Sequence, residues 1–191
     1  MLETATPLET DALVIGAGPV GLFAVFQLGL QGLRVHVVDA LPHAGGQCSE
    51  LYADKPIYDI PGIPACNGQE LIDRLMAQIA PFKAVFHLGQ QVTSLQRKTD
   101  LVSNDACPDF VVGTSAGLQI RAKVVLIAAG VGAFLPRKLA VPQLARFEGN
   151  QLHYHGLQSL PAPRIVNQDI VIVGGDEGAI ELALDLSLIH I

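Results

Sequence analysis

The chain has 191 residues, half of them hydrophobic, and carries a formal net charge of −6 with only 12 lysines and arginines. This hydrophobic content excludes a disordered chain, and the shortage of basic residues, with no aromatic residues interleaved among them, argues against nucleic-acid binding. The three cysteines form no C-x-x-C pair, so they predict neither a disulfide framework nor a zinc site, but reduced thiols in a cytoplasm.

The acidic start, MLETATPLETD, has neither the basic region nor the apolar core of a signal peptide, so we do not expect secretion. Residues 11–40, DALVIGAGPVGLFAVFQLGLQGLRVHVVDA, are apolar enough to suggest a membrane span. A spanning helix needs about 20 apolar residues without strong breakers. Three glycines and Pro19 fall where the middle of such a helix would be, so we expect no membrane segment.

Divided at its glycines, the same stretch predicts a strand, a turn, a helix and a second strand. ALVIGA is typical of a strand that is buried on both faces of a parallel sheet. The helix begins at Pro19 and runs to Gln31, Gly32 ends it, and RVHVVDA forms the second strand. Three residues are expected to share one side of the helix, namely Val20, Ala24 and Leu28.

Gly16, Gly18 and Gly21 form the pattern G-x-G-x-x-G inside this strand–turn–helix unit. The first glycine lets the chain turn out of the strand, the second has no side chain to block a pyrophosphate, and the third lets the helix pack close to the sheet. The phosphates then meet the positive end of the helix. Asp39 stands about 20 residues further on, where a carboxylate accepts both ribose hydroxyls. The unit predicts a dinucleotide site, and the alternative is a glycine-rich turn without a ligand.

A long segment rich in glycine and proline, ALPHAGGQCSELYADKPIYDIPGIPACNGQEL, follows the second strand. Loops of this length in a compact domain usually carry function. NGQELIDRLMAQIA then predicts a helix with Asn67 as its N-cap and Glu70 in the capping-box position, and Pro81 ends it.

Three strands joined by polar turns are predicted from Val85 onward: VFHLGQQVTSLQR, DFVVGTSAG and LQIRAKVVLIAAG. The last one is apolar in its final half and is expected to return to the parallel sheet. Ligands gather at the carboxyl ends of such strands, so we expect Ala129 and Gly130 to lie beside the first glycine loop.

The chain from Phe134 to Val166 is irregular and spotted with prolines, as a crossing between domains is. DIVIVGGDEGAIELALDL then repeats the theme of strand, glycine turn and helix, the start of a second nucleotide-binding unit. Gly174 and Ala179 fit G-x-G-x-x-A, but Asp176 takes the middle place, where a negative charge would face the phosphates. A strand and helix without a ligand is the alternative.

Four stretches resemble the thioredoxin-reductase-like ferredoxin-NADP(H) reductases of bacteria: VIGAGPVGLFAVFQLGLQGLRVHVVDA, GGQCSELYADKPIYDIPGIP, VVLIAAGVGAFLPRKL and VIVGGDEGA. GGQ followed by LYADKPIYDIPG is the most specific part, and the match runs from Asp11 to about Asp185. The resemblance implies an α/β fold: a Rossmann-like FAD-binding domain, made of a parallel sheet plus a three-stranded β-meander, with the start of a second nucleotide-binding domain. The enzymes of this family work as homodimers.

The resemblance also implies site residues. Asp39 would hold the adenosine ribose of FAD, Gln47 would contact the flavin end, and Tyr52 would lie against the isoalloxazine ring. Val92 matches the position whose backbone meets the adenine, and Phe134 the one beside the flavin. Other interpretations stay open for three of them: loop packing for Tyr52, a turn residue for Gln47 and a core strand residue for Val92.

Thioredoxin reductases carry a redox-active C-x-x-C shortly before the second glycine turn, whereas the corresponding FEGNQLHYHGLQSLPAPRIVNQD has no cysteine. His153 and His155 are interpreted as strand or surface residues, because two ligands do not make a metal site. The resemblance implies that NADPH reduces FAD and that electrons leave one at a time to ferredoxin or flavodoxin, with no catalytic side chain. The alternatives are an NAD(P)H oxidoreductase with a small-molecule acceptor and a flavin-binding module without turnover.

For the domains, we expect the N-terminal part of an FAD-binding domain over residues 1–148, an interdomain crossing over 149–168 and the start of an NAD(P)H-binding domain over 169–185. The resemblance implies that the C-terminal return segment, which completes the FAD-binding domain, is missing. The last six residues, LSLIHI (186–191), coincide with what one reading frame of a common transposon-based sequencing adaptor encodes, so we expect a processing scar on a truncated fragment. Such a fragment would hold FAD weakly at best and would not oxidise NADPH. Its helix would expose three apolar residues: Ile180, Leu182 and Leu184.

Overall fold

A computed structural model describes residues 6–98, 109–133, 138–148, 150–154, 168–175 and 177–188. The strands, in chain order, are β1 Leu8–Ile15, β2 Val35–Val38, β3 Pro56–Ile57, β4 Cys66–Asn67, β5 Val85–His87, β6 Val92–Lys98, β7 Asp109–Thr114 and β8 Gln119–Ile127. The α-helices are α1 Pro19–Leu30, α2 Gln47–Glu50, α3 Gly68–Ile79 and α4 Glu177–Leu188, and short 3₁₀ helices span Ala80–Phe82 and Pro142–Phe147.

Six strands form one sheet in the order β5-β2-β1-β8-β7-β6. β1 pairs in parallel with both β2 and β8, and β2 pairs in parallel with β5, so four neighbouring strands run in the same direction. β8, β7 and β6 continue the sheet as an antiparallel meander. The predicted fold class, a Rossmann-like α/β domain with a parallel sheet plus a three-stranded β-meander, is confirmed.

In the apolar second half of β1, residues 12–14 are buried on both faces, as the unbroken apolar run predicts. On one face, Val14 packs against a core built from α1 and α3, with Leu22 and Ile72 among its members. On the other face, Leu13 packs against the meander through Val112 and other residues of β7 and β8. The carboxyl end of β1 is therefore held in place from both sides, and the loop that follows it has a fixed starting point.

The prediction that VFHLGQQVTSLQR forms one strand is wrong, because this stretch contains two strands, β5 and β6. β5 pairs with β2, whereas β6 lies at the opposite edge of the sheet beside β7. Gly89 divides the two strands, with a φ of +67° that a side chain would strain, and its amide bonds the carbonyl of Leu41 at 2.8 Å.

Local helix signals are confirmed at most positions. α1 begins at Pro19 and Gly32 follows its end with a φ of +72°. The side expected to carry Val20 is not the buried one, because Val20 is 73% exposed while Leu22 is fully buried. None of the helices in the described ranges is long and apolar enough to cross a membrane.

α3 begins with the predicted capping box. The side chain of Asn67 accepts a hydrogen bond from the Glu70 amide at 2.8 Å, and the Glu70 carboxylate accepts one from the Asn67 amide at 3.2 Å. This closed pair of bonds satisfies two donors at the helix start. The helix ends at Ile79, and a 3₁₀ turn that contains Pro81 follows, as predicted.

The chain divides into two compact units, Met1–Phe134 and Leu135–Ile191. In the second unit α4 is present, but residues 168–175, where a strand was expected, form none. A strand needs a neighbour for its amides and carbonyls, and Val171 is instead 87% exposed. Of the three apolar residues expected to be exposed on α4, Ile180 and Leu184 are each 59% exposed, and Leu182 is half-buried.

Candidate functional site

Three turns of the chain meet at the carboxyl end of the parallel strands, and we call them the glycine cradle: residues 16–21, 45–46 and 128–130. The amide of Gly45 donates to the carbonyl of Ala17 at 2.9 Å. The amide of Ala128 donates to the carbonyl of Ile15 at 2.8 Å. The expected position of the β8 end beside the first glycine loop is thereby confirmed. This edge of an open α/β sheet is where ligands bind.

Two of the three fingerprint glycines are required by packing alone. Gly16 has a φ of +107°, and a Cβ there would overlap the carbonyl of Ala128. A Cβ at Gly21 would overlap the carbonyl of Gly16, so α1 and the loop before it meet backbone to backbone. Both positions accept only glycine whether or not a ligand binds.

Gly18 differs from the other two. Its φ is −73°, which any residue adopts, and a Cβ there would come no closer than 3.9 Å to a protein atom, the Cα of Gly46. Neither the backbone nor the described neighbours therefore require a glycine at position 18. The place that its side chain would fill is open, and an open place of this kind accommodates a ligand that approaches the backbone.

The start of α1 supplies positive charge to this open place. Gly18 is the N-cap of the helix, has no side chain that could cap the helix start, and is followed by a first turn without acidic residues. The amide donors and the positive dipole end at such a helix start favour an anion. Open space beside a helix start of this kind can accommodate an anion such as a diphosphate.

Asp39 follows the last residue of β2 and binds two backbone amides. Its Oδ2 accepts from the amide of Ala17 at 2.6 Å and its Oδ1 from the amide of Leu41 at 2.8 Å. The carboxylate thereby fastens the glycine loop to the exit of β2. A carboxylate has about four acceptor positions, so two amide bonds leave capacity for sugar hydroxyls.

Gln47 lies at the cradle. It is the first residue of α2, and its Nε2 atom is 3.6 Å from the place of a Cβ on Gly130. The side-chain amide therefore reaches across from α2 to the turn after β8. An amide in this position can donate to or accept from a ring that enters the cradle between the two turns.

Tyr52 follows α2, and its side chain is 43% exposed. The ammonium group of Lys55 lies 5.8 Å from the centre of its ring. A partly exposed aromatic residue can stack on a planar ring, and the contact of Tyr52 with a flavin stays a prediction.

Two further predicted residues are less informative. Val92 begins β6, is partly buried, and packs against the core cluster that contains Leu13 and Val38, as the core-strand interpretation expects. A backbone contact of Val92 with adenine stays a prediction.

Phe134, Asp176 and His155 lie outside the described residues. His153 donates from Nε2 to the carbonyl of Asn150 at 2.9 Å.

The sequence did not lead us to expect a histidine pair near this edge. His36 on β2 and His87 on β5 join through Nδ1 and Nε2 at 3.0 Å, and the Asp39 amide donates to the carbonyl of His87 at 3.1 Å. Burial lowers the pKa of both imidazoles. The positive charge that His87 carries when it is protonated lowers the pKa of His36 further. Both rings are therefore neutral near pH 7, one as donor and the other as acceptor.

Comparison with known proteins identifies relatives of this chain. The model of the family described as pyridine nucleotide-disulphide oxidoreductase matches residues 10–190. The chain is 53% identical over 183 residues to a ferredoxin–NADP reductase of Paracidovorax citrulli (strain AAC00-1), covering 96% of this chain and 48% of that protein. The chain spans about half the length of the curated relatives that it matches.

Solved structures show the same fold. A thioredoxin reductase of Streptococcus pyogenes MGAS5005 superimposes with a TM-score of 0.54 at 24% identity, covering 96% of this chain and 54% of that one. A cyclohexanone monooxygenase of Rhodococcus sp. Phi1, bound to NADP+, gives a TM-score of 0.55 at 25% identity, covering 70% of this chain and 28% of that one.

Proposed function

Since the chain belongs to the pyridine nucleotide-disulphide oxidoreductase family, we propose that it supplies the FAD-binding part of an oxidoreductase that passes electrons from NADPH to ferredoxin. The observation that carries this proposal is the glycine cradle, with an open place at Gly18 in front of a helix start that lacks acidic residues. Two relatives that are 53% and 52% identical to this chain are named ferredoxin–NADP reductases, and these names support ferredoxin as the electron acceptor.

Each part of FAD has a candidate partner in or near the cradle. The diphosphate would lie over Gly18 at the start of α1, and the adenosine ribose would bind the free acceptor positions of Asp39. Gln47 would contact the flavin end, where its amide faces the turn at Gly130. Tyr52, which is 43% exposed, would cover the ring. By resemblance, Val92 would meet the adenine through its backbone and Phe134 would lie beside the flavin.

When bound, FAD supplies the chemistry that converts the two-electron oxidation of NADPH into one-electron transfers. The protein's contribution is to hold and orient. Asp39 keeps the glycine loop in register with β2 through the amide of Ala17, and the packing of Gly16 and Gly21 keeps the start of α1 against the sheet. No acid, base or nucleophile of this chain is needed.

We also propose the organisation of the whole protein. Residues 1–148 would belong to the FAD-binding domain, 149–168 to the crossing and 169–185 to the start of the NAD(P)H-binding domain. The protein would act as a homodimer in the cytoplasm, with ferredoxin or flavodoxin as its electron carrier. The family resemblance supports the dimer, and the ferredoxin–NADP reductase names of the relatives support the carrier.

Stopped-flow reduction of the FAD-loaded, full-length gene product by NADPH and, separately, by NADH tests the proposal. We expect rapid loss of flavin absorbance, followed by reduction of added ferredoxin. If the flavin is reduced but only a quinone or another small molecule reoxidises it, the acceptor is wrong. If neither nucleotide reduces the flavin, the protein is a flavin-binding module rather than an oxidoreductase.

A further inference from the structure

We propose that Cys48 and Cys66 form a reversible intramolecular disulfide, a modification site that takes a small disulfide such as oxidised glutathione as its oxidant. Both are free thiols in the structure, Cys48 as the second residue of α2 and Cys66 as the first residue of β4. The inference rests on the geometry of these two elements and is independent of the proposed electron transfer.

The backbones that carry the two cysteines are in contact. A Cβ at Gly68, two residues after Cys66, would overlap the carbonyl oxygens of both Cys48 and Tyr52. The amide of Gln69 donates to the carbonyl of Ala53 at 3.0 Å, so the start of α3 is also bonded to the segment that follows α2. The chain just after Cys66 is therefore in backbone contact with Cys48 and with the segment that follows α2, and such proximity is a condition for a bridge between the two side chains.

The two thiols differ in exposure. Cys66 is only 5% exposed, whereas Cys48 is half-buried and packs at the edge of the core. Burial raises the pKa of Cys48, and the nearby Cys66 raises it further. An oxidant therefore reaches Cys48 first, and the reaction becomes faster as the pH rises toward the pKa of that thiol.

The chemical step is a two-stage thiol–disulfide exchange. Cys48 loses its proton to solvent, and its thiolate attacks one sulfur of the small disulfide, whose other sulfur leaves as a thiolate. Cys66 then loses its proton, and its thiolate attacks Sγ of Cys48, which releases the second thiol. The two cysteines lose two electrons and two protons in total, and one small disulfide becomes two small thiols.

The new bond would close the segment that contains Tyr52 and the β3–β4 ribbon. Ile57 already pairs with Cys66 across this ribbon, and Cys48 is the neighbour of Gln47, which lies at the cradle. A crosslink at the base of the segment restricts the unfolded chain and limits how far the segment moves from the sheet. Oxidation would therefore stiffen this edge of the site.

The test is oxidation of the native chain by oxidised glutathione at mildly alkaline pH, followed by alkylation of the remaining thiols and peptide mapping without reductant. We expect the Cys48–Cys66 peptide pair to dominate, and dithiothreitol to restore both thiols. Cys107→Ser is the matched control, because it removes the third cysteine and should leave the bridge unchanged. In concentrated guanidinium chloride all three pairings should form, since the folded geometry no longer selects one.

Two single variants make the result decisive. In Cys66→Ala, Cys48 should stop at the mixed disulfide with glutathione, and circular dichroism checks that this variant is folded. In Cys48→Ser, Cys66 should react slowly, because it is buried. Native chain in which pairings with Cys107 dominate, or in which Cys48 keeps its glutathione although Cys66 is present, would overturn the proposal.

Discussion

The carboxylate of Asp39 accepts a hydrogen bond of 2.6 Å from the amide of Ala17, the residue between the first two glycines of the fingerprint. Its other oxygen accepts a bond from the amide of Leu41 at 2.8 Å. The residue expected to bind a ribose therefore also helps to hold the glycine loop in its conformation. Loss of the carboxylate should disturb both the fold and the proposed site.

Asp39→Ala is predicted to lower the free energy of unfolding by roughly 2–4 kcal/mol, because two backbone amides lose a charged acceptor. Asp39→Asn keeps one carbonyl oxygen and should lose about half as much. Asp54→Ala is the control, since this exposed carboxylate in the following loop should change stability by less than about 0.5 kcal/mol. Denaturant unfolding measures all three, and equal stability of Asp39→Ala and the wild type would refute the structural role.

Gly18→Ala and Gly21→Ala separate binding from folding. Alanine at 21 overlaps the carbonyl of Gly16 and should cost about 3 kcal/mol or more. Alanine at 18 meets open space and should cost less than about 1 kcal/mol, while FAD binding weakens at least about tenfold because a methyl group enters the diphosphate position. Thermal unfolding measures the loss of stability in each variant, and a flavin titration measures the loss of FAD affinity. Undiminished flavin binding by Gly18→Ala would mean that the diphosphate does not lie over Gly18.

Tyr52→Leu should raise the fluorescence of bound flavin, because a tyrosine stacked on the ring quenches its emission and leucine does not. The matched control is Tyr58→Leu, since Tyr58 lies in the same segment and is 71% exposed. Emission spectra of the two flavin-loaded variants at equal occupancy provide the comparison. Equal emission from both would argue that Tyr52 is merely a loop residue.

The pair of His36 and His87 should make the folded state less stable in acid. Burial holds the pKa of both rings below the usual value of 6.5, so the unfolded chain binds protons at a pH where the folded chain does not. The free energy of unfolding should therefore fall as the pH drops from about 7 to about 5. His36→Gln should reduce this slope and His153→Gln should not, and an unchanged slope in His36→Gln would contradict the prediction.

Features that depend on a few neighbouring residues were predictable from the sequence. The glycine fingerprint after an apolar run, the helix start at Pro19 and the capping box of Asn67 and Glu70 each have a local physical cause. The position of Asp39 at the end of the second strand was also predictable, and its ribose contact stays a prediction. Its bond to the Ala17 amide was not, since a backbone donor leaves no mark in the sequence.

Features that depend on partners far along the chain were not predictable. VFHLGQQVTSLQR has one pattern but two destinations, and only the pairing of β5 with β2 and of β6 with β7 shows where it divides. The contact of His36 with His87 depends on the register of two parallel strands, which alternation alone does not define. Residues 168–175 have the composition of a strand, yet composition does not supply a neighbouring strand.

The central claim is that the glycine cradle holds the adenosine diphosphate half of FAD. Titration of the isotope-labelled chain with FAD, followed by amide resonances in a two-dimensional NMR spectrum, tests this most directly because it detects weak as well as tight binding. Riboflavin, which has the same ring but neither phosphate nor adenosine, is the matched ligand. We expect FAD to shift the amide signals of Gly18, Val20 and Asp39 and riboflavin to leave them in place. If FAD moves none of these signals, or riboflavin moves them equally, the cradle is not a dinucleotide site.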